Sequence, residues 1–251
     1  MIGGPAADAA HEVALAEPRI RRYVRETPLE PSPFLSRETG ADVHLKLECV
    51  QVTGSFKVRG VLNEVLIAPA EVVERGIVCV SSGNTGRAVC YIAGQLGVPA
   101  CVFLAARADP YRVKTLVDAG AAVSTVDGSF ADASTAARRF ADHRRMVFCS
   151  PGEDWAFIYG VGTVGIDIMR QVRVSTVYMP IGGGGLAAGI GTAWLQPALR
   201  RDSRSSAPVS SESTLRRSIS SNRPSPLARD RWRTSTNNAS DRDTSTWPGP
   251  P

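Results

Sequence analysis

The sequence predicts an α/β fold built on parallel strands. Between residues 43 and 199, short runs rich in β-branched residues alternate with longer stretches whose apolar residues recur at helical spacing. The connections between successive runs are long enough for right-handed crossovers between parallel neighbours. Hydrophobic residues make up 43% of the 251 residues, which is enough to form a buried core.

The elements follow one another in a regular order. We predict strands at residues 43–47, 77–80, 100–104, 122–126, 146–149 and 174–179. We predict helices at residues 55–66, 85–96, 111–119, 132–143, 157–171 and 187–195. This alternation is typical of repeated strand–helix–strand units.

The composition changes abruptly near residue 201. Of the 49 residues from Ser203 onward, 13 are Ser and eight are Arg, and aliphatic periodicity is almost absent. Such a segment cannot bury enough apolar surface to offset the entropy of ordering it, so we expect residues 202–251 to be a disordered, low-complexity tail. All three lysines precede the change, which comes directly after a helix that should lead into more strands. We therefore expect a reading-frame shift or a truncation at this point.

Charge and composition argue against several classes of function. The net charge is +5, but residues 203–251 hold eight Arg against four acidic residues, so the remaining chain is nearly neutral and we expect no nucleic-acid partner. The sequence has no apolar run long enough to span a membrane and no leader-like N-terminus, so we expect a cytoplasmic protein without a membrane partner. The five cysteines and three histidines lack the spacing of metal ligands, so we expect free thiols and no metal site.

Four consecutive glycines lie between the last predicted strand and the last predicted helix. This tetraglycine turn consists of Gly182, Gly183, Gly184 and Gly185, with Leu186 next. Backbone N–H groups of such a turn can converge on an anion, and the helix N-terminus adds partial positive charge. An ordinary turn needs only one or two glycines, and the spacing differs from the dinucleotide fingerprint. A phosphate group is therefore the expected ligand.

A second polar loop, Ser81-Ser82-Gly83-Asn84 (the SSGN loop), again separates a predicted strand from a predicted helix, and Thr85 follows it. Its hydroxyls, amide and free N–H groups suit a carboxylate or a cofactor hydroxyl. Ordinary N-capping of the helix by Ser or Asn explains the same residues equally well. From these residues alone, the two interpretations stay open.

A lysine lies in an apolar stretch of a chain that uses arginine for nearly all its other cations. Lys57 stands between Phe56 and Val58, at the end of the segment 51–57 (the lysine loop). Most helical lysines are solvated surface charges. Here an amine that can lose its proton and attack a carbonyl explains the residue better, because a guanidinium cannot do this.

Together these motifs resemble the fold-type II pyridoxal-phosphate-dependent enzymes, the tryptophan synthase beta-like group, and within it the threonine dehydratase and serine racemase branch. The resemblance covers residues 25–200. It is carried by Lys-Leu-Glu at 46–48, Gly-Ser-Phe-Lys-Val-Arg-Gly at 54–60, the SSGN loop and the tetraglycine turn, with further similarity at 27–29, 35–36 and 160–165.

The resemblance implies pyridoxal 5'-phosphate as cofactor and a dehydratase (ammonia-lyase) activity on a hydroxy amino acid such as threonine or serine. Lys57 would bind the cofactor covalently and shuttle protons, and Ser82 falls where the racemases have their second acid or base. The other roles that it implies are packing beside the ring by Phe56, a hydrogen bond from Asn84 to the ring hydroxyl, substrate carboxylate binding by Ser82, Gly83, Asn84 and Thr85, and phosphate binding by Gly182, Gly183, Gly184, Gly185 and Leu186.

The resemblance also implies two α/β domains, each with a parallel sheet, and a homodimer in the intact family. We expect a small domain at residues 52–152 and a large domain, made of residues 1–51 and 153–201, that is incomplete because the family's large domain continues well beyond the tetraglycine turn. The lysine loop, the SSGN loop and the tetraglycine turn should meet in one cleft.

One short segment departs from the family pattern. Most threonine dehydratases have His-Ala-Gln or a similar run where this chain has Thr85-Gly86-Arg87, a variant shared with dehydratase-like proteins of ectoine breakdown. The substrate therefore stays open. A racemase, a β-replacement enzyme, an ectoine-derivative dehydratase and a catalytically impaired fragment are the alternatives.

Overall fold

A computed structural model of the protein describes residues 8–150 and 154–195. The strands in these residues are β1 (Leu29–Pro31), β2 (His44–Lys46), β3 (Ile77–Val80), β4 (Ala100–Ala105), β5 (Ala122–Val126) and β6 (Val147–Cys149). The α-helices there are α1 (Ala9–Ile20), α2 (Pro33–Thr39), α3 (Lys57–Ile67), α4 (Ala70–Val73), α5 (Asn84–Leu96), α6 (Pro110–Asp118), α7 (Phe130–Arg144), α8 (Trp155–Gln171) and α9 (Gly185–Trp194). The predicted tail at 202–251 lies outside the described residues.

The main sheet is parallel and has the strand order β5-β4-β3-β6. Ile77 of β3 is the register partner of Ala100 on one side and of Val147 on the other. The connections from β3 to β4 and from β4 to β5 run through α5 and α6, as expected for parallel neighbours, and α7 leads the chain from β5 to β6 at the opposite edge of the sheet. The predicted α/β fold with a parallel sheet is therefore confirmed. A separate ribbon pairs β1 with β2 antiparallel.

Apolar side chains cover both faces of the main sheet. Alternate residues of β3 belong to two clusters, because side chains alternate between the faces of a strand. Ile77 and Cys79 pack with α3 and α5, whereas Val78 and Val80 pack with α7. The contact face of α7 carries small side chains at four-residue spacing: Ala133, Ala137 and Ala141. This double burial explains why β3 is a continuous apolar run.

Glycines on α8 let two neighbouring helices approach its backbone. A Cβ atom added to Gly160 would lie 2.4 Å from the carbonyl oxygen of Arg59 on α3, and one added to Gly162 would lie 2.8 Å from the carbonyl oxygen of Gly189 on α9. Both distances are too short for an alanine at these positions. Since α3 begins at Lys57 and α9 begins within the tetraglycine turn, α8 is the support on which two of the predicted site segments rest.

The prediction of a strand at residues 174–179 is wrong, because this segment forms no strand. A β-rich run becomes a strand only where a neighbour exchanges backbone hydrogen bonds with it, and within the described residues this segment has none. Val174 and Met179 pack instead against a cluster on α8 and α9. The tetraglycine turn therefore does not follow a strand.

The N-terminal elements α1, β1 and α2 were not predicted. The buried face of α1 is narrow, with Val13, Ala16 and Ile20 fully covered, and the helix contains Pro18.

The described residues belong to one compact unit, Met1–Arg204. Its division into domains at 1–51 with 153–201 and at 52–152 stays a prediction. Within the described residues, every helix is too short or too polar to cross a membrane.

Candidate active site

The amine of Lys57 lies between two aromatic rings. Its Nζ atom is 5.2 Å from the ring centroid of Phe56 and 5.0 Å from that of Phe157. The side chain is half-buried, and burial lowers the pKa of this amine from its usual 10.5. Nζ makes no hydrogen bond or ion pair within the described residues. Lys57 is thus a lysine that gives up its proton more readily than a surface lysine does.

The lysine loop is held by a buried glutamine. The Gln51 side chain accepts hydrogen bonds from the backbone N–H groups of Arg25 and Val52 and donates one to the Arg25 carbonyl oxygen. Gly54 then turns the chain with a φ of +73°, in the left-handed region that favours glycine. The Thr53 hydroxyl oxygen is buried in this loop and has no hydrogen-bond partner in the described part of the chain.

A buried ion-pair network begins two residues after Lys57. Arg59 is fully buried and donates to both carboxylate oxygens of Glu48, at 2.8 and 3.0 Å, and to Asp167 at 2.8 Å. Asp167, also fully buried, accepts a second hydrogen bond from Arg21 at 2.7 Å. The network joins α3 to α8 and to the residues around α1, and so fixes the helix that begins at Lys57.

Sequence reasoning missed the role of this network. Glu48 and Arg59 were noted only as parts of two family motifs, and Asp167 was not singled out. An arginine inside an apolar helix was the sequence signal for this network, because an arginine side chain is rarely buried unless it is paired.

The SSGN loop joins the end of β3 to the start of α5. The Ser81 hydroxyl accepts a hydrogen bond from the Gly83 N–H at 3.1 Å, but no side chain caps α5, whose N-cap residue is Gly83. The capping interpretation of this loop is therefore wrong. The free N–H groups at the start of α5 and the Ser82 hydroxyl are available to an anion.

Gly86 in the first turn of α5 accounts for part of the unusual Thr85-Gly86-Arg87 segment. A Cβ atom on Gly86 would lie 2.3 Å from the Ser81 carbonyl oxygen, so alanine would displace the loop. Arg87 is exposed and donates a hydrogen bond from Nη2 to the side-chain oxygen of Asn84. Its Nη2 also lies 3.9 Å from where a Cβ of Gly54 would be. Arg87 therefore bonds to the SSGN loop and lies beside the lysine loop, with which it lines a cleft.

A cleft of about 520 Å³ opens beside the SSGN loop. Its walls come from the start of α5 and from α6, and they are formed by Ser82, Gly83, Asn84, Arg87, Asp109, Tyr111, Arg112, Thr115 and Leu116. Neither Lys57 nor a residue of the tetraglycine turn lines it. A second cleft, of about 420 Å³, shares Ser82, Gly83 and Arg112 with it.

The tetraglycine turn has open space beside its first three glycines. Gly184 has a φ of +87° and forms the N-cap of α9, where no side chain makes a capping hydrogen bond. A Cβ atom added to Gly182, Gly183 or Gly184 would meet nothing within 4 Å among the described residues. The N–H groups at the start of α9 are thus free, and there is room beside them for a phosphate group.

Pairwise contacts connect the three motifs. Phe56, next to Lys57, and Leu186, next to the tetraglycine turn, pack against the same cluster on α8 and α9. Arg87 bonds to Asn84 of the SSGN loop and lines a cleft together with Gly54 of the lysine loop. That all three line one cleft stays a prediction.

These residues fit pyridoxal phosphate by their chemistry. Lys57 provides a primary amine with a lowered pKa, the tetraglycine turn provides open N–H groups for a phosphate, and Asn84 provides an amide for a ring substituent. The roles of the individual residues stay predictions.

A family model described as "Pyridoxal-phosphate dependent enzyme" matches residues 20–245 of the chain. This match runs past residue 200, where the similarity carried by the motifs stopped. Among curated proteins, the chain is similar to an L-threonine ammonia-lyase from Geobacter sulfurreducens, with 37% identity over 179 residues, which are 71% of this chain and 44% of that protein. It is also 36% identical to the chloroplastic biosynthetic threonine dehydratase 1 of Solanum lycopersicum over 167 residues, 66% of this chain and 28% of that protein.

Two solved structures are similar in fold. Maize serine racemase superposes with a TM-score of 0.71 at 30% identity, covering 76% of this chain and 59% of that one. Processed threonine deaminase isoform 2 from Solanum lycopersicum superposes with a TM-score of 0.72 at 27% identity, covering 78% and 55%. The chain spans about half or less of the length of the curated relatives that it matches, from 28% to 55%.

Proposed function

This chain belongs to the family of pyridoxal-phosphate-dependent enzymes, and on that premise we propose that it is a dehydratase (ammonia-lyase). It would convert a hydroxy amino acid such as threonine or serine to a 2-oxo acid and ammonia. The observation that carries the proposal is Lys57, a half-buried amine with a lowered pKa and no ionic partner among the described residues. The threonine ammonia-lyase relatives favour this reaction over others in the family.

Lys57 has two tasks in this proposal. It would hold the cofactor through Nζ, and as a free amine it would remove the proton from the substrate α-carbon. Burial supports the second task, because it lowers the pKa of the amine and favours its unprotonated form. Pyridoxal phosphate, when bound, supplies the electron sink that stabilises negative charge at that carbon.

The two glycine-rich segments bind the anionic groups. The N–H groups of Gly182 to Gly185 and Leu186 hold the cofactor phosphate, helped by the partial positive charge at the start of α9. The segment Ser82, Gly83, Asn84 and Thr85 holds the substrate carboxylate through the free N–H groups at the start of α5 and the hydroxyls of Ser82 and Thr85, while the Gly83 N–H donates to Ser81. Phe56 packs beside the cofactor ring.

Asn84 has a defined orientation for its task. Its side-chain oxygen accepts a hydrogen bond from Arg87, which leaves the amide NH₂ group as the donor toward the ring hydroxyl of the cofactor. The free amide NH₂ group therefore supports the role that the position of Asn84 in the motif implies.

A racemase is the second candidate. Solved serine racemases are similar to this chain in fold and sequence, and Ser82 falls where they have a second acid or base. In a dehydratase the β-hydroxyl leaves and the product hydrolyses to a 2-oxo acid. In a racemase the α-proton is returned from the opposite side by a second group such as Ser82. The homodimer and the cytoplasmic location stay predictions.

The test is to incubate the full chain with pyridoxal phosphate and L-threonine or L-serine, and to measure 2-oxo acid and D-serine in the same samples. We expect 2-oxo acid in excess. K57A should abolish both products, whereas K114A, at an exposed lysine of α6 paired with Asp118, should leave them unchanged. D-serine without 2-oxo acid would replace the dehydratase with the racemase, and no product with any substrate would reject both.

A further inference from the structure

Arg87 has an unpaired charge beside the predicted substrate loop. It is exposed, its Nη2 donates to Asn84, and it lines a cleft together with Gly54 of the lysine loop. It forms no ion pair with a carboxylate in the part of the chain that the structure describes. A guanidinium beside two motif loops without a counter-ion is suited to bind an anion from outside.

Other side chains make the surrounding cleft electropositive. Arg112 of α6 lines the 520 Å³ cleft together with Arg87, and it also lines the adjoining 420 Å³ cleft, which Arg107 borders as well. Within the described ranges, neither Arg107 nor Arg112 has a carboxylate partner. Asp109 is the carboxylate in the 520 Å³ cleft, and it is engaged as the N-cap of α6, where it accepts from the Tyr111 N–H at 2.9 Å.

We propose that Arg87, together with Arg112, binds a second carboxylate of the substrate, so that the preferred substrate is a hydroxy dicarboxylic amino acid. This inference rests on the proposed dehydratase function and names its substrate class. The α-carboxylate already has the free N–H groups of the SSGN loop and Thr85 as partners. The guanidinium groups are left for a further anionic group on the β-carbon side, and Arg recognises a carboxylate with two parallel hydrogen bonds.

A pair of substrates isolates this contact. Threonine and the 3-hydroxyaspartate of matching configuration differ only in that a methyl group on the β-carbon of one is a carboxylate in the other. A residue that holds the α-carboxylate, or that only positions Asn84, affects both substrates equally. A residue that binds the second carboxylate affects 3-hydroxyaspartate more than threonine, even where it also positions Asn84.

The kinetic test compares kcat/KM for the two substrates in the full chain loaded with pyridoxal phosphate and in three variants. We expect the wild type to prefer 3-hydroxyaspartate. R112Q should lower kcat/KM for 3-hydroxyaspartate by roughly 10- to 100-fold, the range of a lost hydrogen-bonded charge contact, with a change below about threefold for threonine. R87Q, which also releases the Asn84 side chain, should lower both values, and the value for 3-hydroxyaspartate by a further factor of roughly 10 to 100. R139Q, at an exposed arginine of α7, carries the same change of charge and should alter neither value. Equal losses for both substrates in R87Q would overturn the proposal.

A binding test needs no turnover, so it decides the inference even if the dehydratase proposal fails. Calorimetry on the full chain without cofactor should detect malate but only weaker binding of lactate, since the two hydroxy acids differ by a carboxylate. R87Q should bring malate binding down to the level of lactate, and R139Q should not. Malate that binds no better than lactate, or that binds R87Q as well as the wild type, would overturn the inference. Absence of 2-oxo acid from every amino acid, with malate binding intact, would reject only the proposed function.

Discussion

Arg59 and Asp167 form an ion pair 2.8 Å long in which neither side chain is exposed. The pair joins α3, whose first residue is Lys57, to α8. Because burial of a charge is unfavourable unless the charge is paired, this contact and the one to Glu48 require α3 to sit in one position relative to α8. The candidate lysine is therefore held by a network that lies outside the site itself.

Replacement of Arg59 by Met should destabilise the protein strongly. The change leaves two carboxylates, those of Glu48 and Asp167, without their main partner, and a broken buried pair typically costs about 3–5 kcal/mol. Urea unfolding followed by circular dichroism measures the loss of free energy. K114M, which breaks the exposed pair of Lys114 with Asp118, should cost less than about 1 kcal/mol. Similar losses in the two variants would show that the network does not hold α3.

Alanine at two helical glycines should change stability in opposite directions. At Gly160 a Cβ atom would lie 2.4 Å from the Arg59 carbonyl oxygen, so G160A should lower the free energy of unfolding by about 1–3 kcal/mol. At Gly94, an exposed position of α5 with nothing within 4 Å of the added atom, G94A should raise it by about 0.5–1 kcal/mol. The same unfolding experiment compares them. A stabilising G160A would contradict the close packing of α3 on α8.

Glu64 should make stability fall as the pH rises toward 8. This side chain is 6% exposed, and burial, with the nearby charge of Asp154, raises the pKa of Glu64 from 4.5 to about 8. Between these two values the folded state keeps a proton that the unfolded state has released, so the free energy of unfolding decreases with rising pH across that window.

The free energy of unfolding, measured between pH 4.5 and about pH 8 in the wild type and in E64Q, tests this pH dependence. The free energy of unfolding of the wild type should fall relative to that of E64Q up to about pH 8. Above that pH the two curves should run parallel. E74Q, at an exposed glutamate, should follow the wild type throughout. Parallel curves for wild type and E64Q would mean that Glu64 is ionised in the folded protein.

Cys49 should be the thiol that reacts in the folded protein. It is exposed, whereas Cys79, Cys90, Cys101 and Cys149 are buried, and burial raises the pKa of Cys90 to about 11. A chromogenic thiol reagent should titrate about one thiol rapidly in the native chain and all five after denaturation. C49S should remove the rapid phase. A rapid phase that persists in this variant would show that a buried thiol is accessible.

Sequence reasoning succeeded where local composition decides the structure. The strand Ile77–Val80 has the predicted bounds, because a short run of β-branched and apolar residues between turn signals suits a strand covered on both faces. The segment 174–179 has a similar composition and forms no strand, because a strand also needs a neighbour to pair with, which its own residues do not reveal. The helix α1 escaped prediction for a related reason: its buried residues are defined by contact with α8.

The candidate site also has features that the sequence reveals and features that only the folded structure reveals. The chemistry of Lys57, the SSGN loop and the tetraglycine turn could be inferred from residue type and spacing. The position of Arg87 beside Gly54 could not, because the two residues lie on separate elements that meet only after α5 packs beside the lysine loop. The pairing of Arg59 with Asp167, 108 positions apart in the chain, was hidden for the same reason.

Reductive trapping of the cofactor tests whether Lys57 is the residue that binds it. The full chain is incubated with pyridoxal phosphate, reduced with borohydride, digested and analysed by mass spectrometry. Lys46 is the main rival, since burial also lowers the pKa of its amine, but its Nζ is engaged by the Thr27 carbonyl oxygen and the Gln171 side chain at 2.6 and 2.8 Å. We expect the label on Lys57 and its loss in K57A. A label found mainly on Lys46 or Lys114, or one that K57A retains in full, would contradict it.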